Sequence, residues 1–170
     1  MRILPTDPGH SLIVSTDGAS RGNPGPAGYG VSIAGPDGTI IEELAKGIGI
    51  ATNNVAEYTA ALEGLRKAAE LGAKDVLLRS DSRLLIEQLS GRYRVKNPTL
   101  QRLHAEARKL AKGFERVRYE HVRRELNKEA DRLANLGVDE WLDAGGDPTP
   151  PGTGITERLW EAPESGPRDG

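Results

Sequence analysis

The sequence predicts an α/β domain built on a mixed sheet. Three β-type runs come first, close together and separated by turn signals. Helical and strand periodicities then alternate. The chain has 170 residues, enough for one core and one domain. Early strands joined by short turns form an antiparallel meander, whereas later strands separated by helices need crossovers and can pair in parallel.

The elements follow in order. Leu12-Ile13-Val14-Ser15-Thr16 is apolar and β-branched, and reads as a strand ending at the turn pair Asp17-Gly18. Gly22 to Gly28 includes Pro24 and Pro26 and reads as a rigid loop. Tyr29–Ala34 and Thr39–Lys46 read as two strands about the turn Pro36-Asp37-Gly38. Asn53 or Asn54 is a candidate cap for a helix whose apolar residues Val55, Tyr58, Leu62, Leu65 and Ala69 keep the helical period until Gly72. Val76-Leu77-Leu78 is a buried-type strand running into Ser80-Asp81-Ser82. A short helix, Leu84–Leu89, stops at Gly91.

Asn97-Pro98 has the form of a cap and a first-turn proline, and Leu100, Leu103, Ala107, Leu110 and Phe114 continue at helical spacing. Arg116–Arg123 alternates, with Val117, Tyr119 and His121 on one side, and reads as a strand. A last helix from about Asn127 gathers Ala130, Leu133, Ala134, Gly137, Val138 and Trp141 on one face. The expected organisation is an extension at 1–11, the folded domain at 12–142, and a Pro/Gly-rich disordered tail at 143–170, in which Ile155–Trp160 is a candidate for local docking.

Composition removes several function classes. With no cysteine, disulfides, zinc thiolates and cysteine nucleophiles are excluded, and a cytoplasmic setting is expected. No stretch has the length of a membrane span, and the first residues lack a signal-peptide core. The net charge is −2, so any nucleic-acid contact requires a local cationic face.

Four carboxylates stand where a structural role is hard to find. Asp17 and Asp81 each follow an apolar strand, and carboxyl ends of strands are where α/β sites form. Glu57 lies off the apolar stripe of its helix, in line with Ala61, Gly64 and Ala68, small residues that let the helix approach the sheet. Asp131 sits beside the apolar face of the last helix. Such acids repel one another when brought together, and hard cations that prefer oxygen ligands relieve this. Taken singly, each also fits a turn, a cap or a solvated surface. A phosphate-cradling P-loop is excluded, because the Gly-Lys-Ser/Thr ending is absent.

The surroundings of these acids resemble a family. Asp17-Gly18-Ala19-Ser20-Arg21-Gly22-Asn23-Pro24-Gly25-Pro26-Ala27-Gly28-Tyr29-Gly30 resembles the first motif of type 1 ribonuclease H. Thr52 to Glu57 (TNNVAE) resembles the second, Ser80-Asp81-Ser82 the third, and Asn127 to Ala134 (NKEADRLA) the fourth, in the family's order. The resemblance implies a ribonuclease-H-like fold, with a five-stranded mixed sheet flanked by helices. It implies an endonuclease hydrolysing the RNA strand of RNA–DNA hybrids by a two-metal-ion mechanism, leaving 5′-phosphates. It assigns Asp17, Glu57, Asp81 and Asp131 as ligands of two Mg2+ ions, with Mn2+ as a substitute. Asn23, Asn53 and Asn54 match minor-groove contacts, Gly18, Ala19 and Ser20 the backbone that meets RNA 2′-hydroxyls, and Thr52 a residue near a DNA phosphate. A 2′-hydroxyl is what separates RNA from DNA at a given site.

Two departures are visible. Gly91-Arg92-Tyr93-Arg94-Val95-Lys96-Asn97 stands where many members carry a basic protrusion, so Arg92, Arg94 and Lys96 become candidates for phosphate contact, with a solvated loop as the alternative. The loop that usually carries a mobile histidine is reduced to Arg124-Glu125-Leu126, which leaves Arg124 as the candidate to assist product release. His121 is expected to belong to the preceding strand and to face the adjoining helices. A monomer needing no membrane and no protein partner is expected. The alternatives are a catalytically silent hybrid-binding module, or the nuclease domain of a retroelement polymerase or longer bifunctional chain.

Overall fold

The computed structural model describes residues 10–146, so most of the expected N-terminal extension and the tail from 147 lie outside the described residues. Within them the chain forms β1 (Ser11–Ser20), β2 (Gly25–Ala34), β3 (Ile40–Ala51), α1 (Asn53–Glu70), β4 (Asp75–Ser80), α2 (Arg83–Leu89), α3 (Pro98–Ala111), β5 (Arg116–His121) and α4 (Lys128–Asp143). The five strands make one sheet in the order β3-β2-β1-β4-β5. β1, β2 and β3 pair antiparallel, while β1–β4 and β4–β5 pair parallel, which is the expected mixed sheet.

α1 packs on β1, β2 and α3, and the largest core lies on that side of the sheet, around Val14, Val31, Tyr58, Leu65, Leu78 and Leu103. α4 packs across β2, β3 and β1. Its buried residues are Ala130, Leu133, Ala134, Gly137, Val138 and Trp141, the face predicted from periodicity. Asn97 caps α3, its side chain accepting from Thr99 N–H and Leu100 N–H, with Pro98 as the first helical residue.

Three expectations need correction. Asp17-Gly18 is not a turn: β1 continues to Ser20, with Asp17 opposite Gly30 and Ser20 opposite Ala27. Gly25–Gly28 is likewise strand rather than loop, and β3 runs on past Lys46 to Ala51, because Gly25, Pro26 and Ala27 pair with Ala51, Ile50 and Gly49. Both runs carry loop-type composition, and each finds its ladder partners in the other. Finally, α1 is capped by Thr52, whose hydroxyl accepts from Val55 N–H, while Asn53 and Asn54 are the first helical residues.

Candidate active site

The parallel pairing of β1 with β4 ends at Ser15–Arg79, so the two strands part beyond it. Asp17 lies two residues further along β1. Asp81 follows the last residue of β4, Ser80. This is the crevice at the carboxyl ends of strands where the sheet changes direction. Two helices deliver the other acids, with Glu57 in the second turn of α1 and Asp131 in the first turn of α4.

Close packing sets their reach. A Cβ on Gly64 would lie 2.7 Å from Val14 Cγ1 and 3.3 Å from Thr16 Cγ2, so only glycine lets α1 sit this near β1. At Gly18 a Cβ would fall 2.3 Å from Glu57 N, fixing the strand bearing Asp17 against the helix bearing Glu57. On the α4 side, buried Asn127 donates its side-chain amide to Thr16 O at 3.0 Å. Thr16 Oγ1 donates to Arg79 O at 3.1 Å, tying β1 to β4 next to the acids.

The carboxylates act on one another. Asp17 is only 7% exposed. Burial first, then Asp81, a hydrogen bond and charge from Asp131, and the charge of Glu57 push its carboxyl up to about 8. Glu57 is pushed up to about 7, chiefly by burial and further by Asp81, while a hydrogen bond from Ser82 and the charge of Arg124 pull the other way. Two acids, Asp17 buried and Glu57 half-buried, held this far above the ordinary carboxylate range mark a site short of positive charge. Among the described residues no three His, Asp or Glu side chains close into a finished metal cage. Magnesium is commonly held by one or two carboxylates together with waters and substrate phosphates, so an open acid cluster suits it.

Seven of the expected substrate-contacting residues form one surface beside the acids. Gly18, Ala19 and Ser20 are the end of β1, and Thr52, Asn53 and Asn54 begin α1. Asn23 joins them, its Oδ1 accepting from Asn53 N–H at 3.0 Å. Ser20 Oγ donates to Ala51 O at 2.8 Å. Arg124 lies in a single 3₁₀ turn, Arg124–Leu126, exposed and within electrostatic reach of Glu57. Arg92, Arg94 and Lys96 lie beyond the far end of α2, away from the acids, and Arg92 is tied to Glu87 through Nε at 2.9 Å and through Nη2. His121 is the last residue of β5, as expected, but it is exposed rather than packed under a helix, and its Nε2 meets Asp81 O at 3.2 Å.

Supporting residues went unread in the sequence. Asn135 Nδ2 donates to Asp131 O at 3.0 Å and to Oδ1 at 3.4 Å, and Arg21 bonds Asn135 while pairing with Asp139 at 2.7 Å. Helical i, i+4 spacing from Asp131 was the available signal for Asn135. Ser82 caps α2 by accepting from Leu85 N–H at 3.2 Å, and it also holds Glu57.

Comparison with known proteins gives concordant results. The profile described as reverse transcriptase-like matches residues 15–137. The chain is 48% identical over 129 residues to the bifunctional protein Rv2228c of Mycobacterium tuberculosis, covering 75% of this chain but only 35% of that protein. It is 43% identical over 138 residues to ribonuclease HI of Halobacterium salinarum, covering 81% of this chain and 69% of that one. Among solved structures, the N-terminal RNase H domain of Rv2228c superposes with a TM-score of 0.77 at 46% identity, covering 79% of this chain and 98% of that one. LC11-RNase H1, solved in complex with an RNA/DNA hybrid, superposes with a TM-score of 0.74 at 39% identity, covering 77% and 99%.

Proposed function

The chain belongs to the type 1 ribonuclease H family, and from that premise we propose that it is an endonuclease cutting the RNA strand of RNA–DNA hybrids. The observation that carries this reading is the convergence of Asp17, Glu57, Asp81 and Asp131 on one crevice, with Asp17 and Glu57 held above the ordinary carboxylate range by burial and mutual repulsion. The donor set is all oxygen, which fits a hard divalent cation. Those four residues would hold Mg2+, two ions during cleavage, with Mn2+ as a substitute. Bound magnesium supplies charge stabilisation to the phosphodiester and a nucleophile near neutral pH.

The chain's own residues do the rest. Asp17, buried between β2 and the start of α1, is the central carboxylate. Ser82 and Arg124 orient Glu57 and temper its charge, and Asn135 orients Asp131. The backbone of Gly18–Ser20 and the amides of Asn23, Asn53 and Asn54 present donors and acceptors to a minor groove without adding charge, which suits recognition of 2′-hydroxyls. Arg124, permanently charged, assists departure of the product electrostatically. The nuclease unit occupies 12–142 and acts as a monomer in the cytoplasm. Among the described residues no helix is long and apolar enough to cross a membrane.

Labelled RNA–DNA hybrid, RNA duplex and DNA duplex, each incubated with and without magnesium, test the reading. Cleavage of the hybrid's RNA strand alone, and only with magnesium, is expected. Tight hybrid binding without cleavage identifies a silent binding module instead.

A further inference from the structure

One cavity of about 470 Å³ lies apart from the acids, between the 91–97 loop and α3. It is a fixed feature of the fold. Tyr58 donates its hydroxyl to buried Gln88 at 2.6 Å, and Gln88 Nε2 donates to Arg94 O at 3.3 Å. Gln101 Nε2 donates to Val95 O at 2.9 Å, and His104 Nε2 donates to Gln88 O at 3.0 Å. These bonds hold the loop backbone against α2 and α3, so its side chains project from a rigid rim.

The rim carries two unneutralised cations. Arg92 is tied to Glu87, but Arg94 and Arg108 line the cavity with no ion-pair partner among the described residues. Tyr93, between Arg92 and Arg94, lines the same cavity and is 48% exposed. An exposed aromatic ring flanked by arginines over a concave floor is the chemistry that holds an unstacked base and its phosphate. A base-paired duplex offers this cavity only backbone, since its bases are stacked and cannot enter. The volume is within the range that small-ligand sites enclose, and one nucleotide fits it. The seven residues of α2 separate Asp81–Ser82 from this cavity, about 10 Å at helical rise, or roughly three base-pair steps.

We propose that the cavity between the 91–97 loop and α3 seats an unpaired nucleotide of a single-stranded extension next to the hybrid, its base stacked on Tyr93 and its phosphate held by Arg94 and Arg108. The proposal rests on the hybrid-nuclease reading and refines it: this enzyme prefers hybrids that adjoin single strand.

The test is fluorescence anisotropy in chelator, where no cleavage is expected. A blunt 12-base-pair hybrid is compared with the same hybrid carrying four unpaired nucleotides at one end or the other. An extension at one end should tighten binding about tenfold, through stacking of a base on the aromatic side chain. Tyr93→Ala and Arg108→Ala should each remove most of that gain, leaving blunt-hybrid affinity within about twofold. Tyr93→Phe should keep it. Circular dichroism of each variant confirms that the fold is retained. Equal affinity for blunt and extended hybrids overturns the proposal, as does an equal weakening of both by the variants. Thermal stabilisation by millimolar deoxyadenosine monophosphate as large as that by a short single strand assigns the cavity to free nucleotides, and likewise overturns it. The nuclease reading stands or falls separately, on magnesium-dependent cutting of the blunt hybrid.

Discussion

Gly64 sits two helical turns from Glu57 and far from any substrate contact, which makes Gly64→Ala an incisive test of how the site is built. The added methyl would start 2.7 Å from Val14 Cγ1, whereas carbon atoms rest at about 3.5–4.0 Å. Relief requires α1 to lift from β1 by roughly 1 Å, carrying Glu57 away from Asp17 and Asp81. Overpacking of this kind costs about 1–3 kcal/mol. Replacing glycine by alanine inside a helix returns about 1 kcal/mol. The net loss of stability is then about 0–2 kcal/mol, a fall in Tm below about 8 °C. Turnover should drop much further, by about 10–100-fold, because a misplacement of about 1 Å at a reacting centre has that scale of effect. Thermal melting and single-turnover cleavage of a hybrid, run on the same preparations, separate the two. Adding Val14→Ala should recover part of the lost rate by removing the atom that is struck. Turnover within twofold of the parent in Gly64→Ala refutes the idea that this line of small residues sets the position of Glu57.

Other expectations follow from the same geometry. Asp17→Asn and Asp81→Asn should each reduce turnover by about a thousandfold or more with unchanged circular dichroism, while hybrid binding without metal stays equal or tightens slightly; near-parental rates in either would remove that residue from the site. The pH dependence of stability without metal has a definite sign. Asp17 and Glu57 are raised to about 8 and about 7 in the folded chain, from 3.8 and 4.5, so the folded state binds more protons across that interval. Their contribution is fully present below about pH 4 and is lost as pH rises through about 7 and 8. In chelator, Tm should fall from pH 5.5 to 8.5, less steeply in Asp17→Asn, with magnesium restoring it at pH 8.5; identical slopes in parent and variant would contradict the assignment. Arg124→Ala should lower turnover about tenfold with metal affinity retained, and His121→Ala should leave turnover within about threefold, since its Nε2 reaches only the Asp81 backbone. A hundredfold loss in a folded His121→Ala protein would make that histidine catalytic.

Much of this was legible in the sequence where local pattern and tertiary demand coincide. The buried face of α4 was readable from periodicity because one helix meets one flat sheet. Asn97-Pro98 was readable because capping is a local event. Asp17-Gly18 misled: the pair has the composition of a turn, but strand pairing with Gly30 and Tyr29 overrides local preference. Gly47–Ala51 misled in a similar way, its two glycines hiding a strand whose partners lie in the equally glycine-rich Gly25–Gly28. The four acids were legible as a set through the motifs around them, although Asp17, read as the end of its strand, lies inside β1. Their supports were not: Arg21 meets Asn135 and Asp139 across more than a hundred residues, a pairing that no local spacing announces. Arg92, in sequence a candidate for phosphate contact, is paired with Glu87 of α2, which local spacing does not announce.

The central claim is that four carboxylates in one crevice make this chain a metal-dependent hybrid nuclease. The most direct measurement is a magnesium titration of hybrid cleavage, with the end groups of the RNA fragments determined. Cleavage should be absent in excess chelator, rise with magnesium, proceed with manganese, remain weak with calcium, and leave 5′-phosphates. Undiminished cutting in chelator, or fragments bearing 5′-hydroxyls, would contradict it.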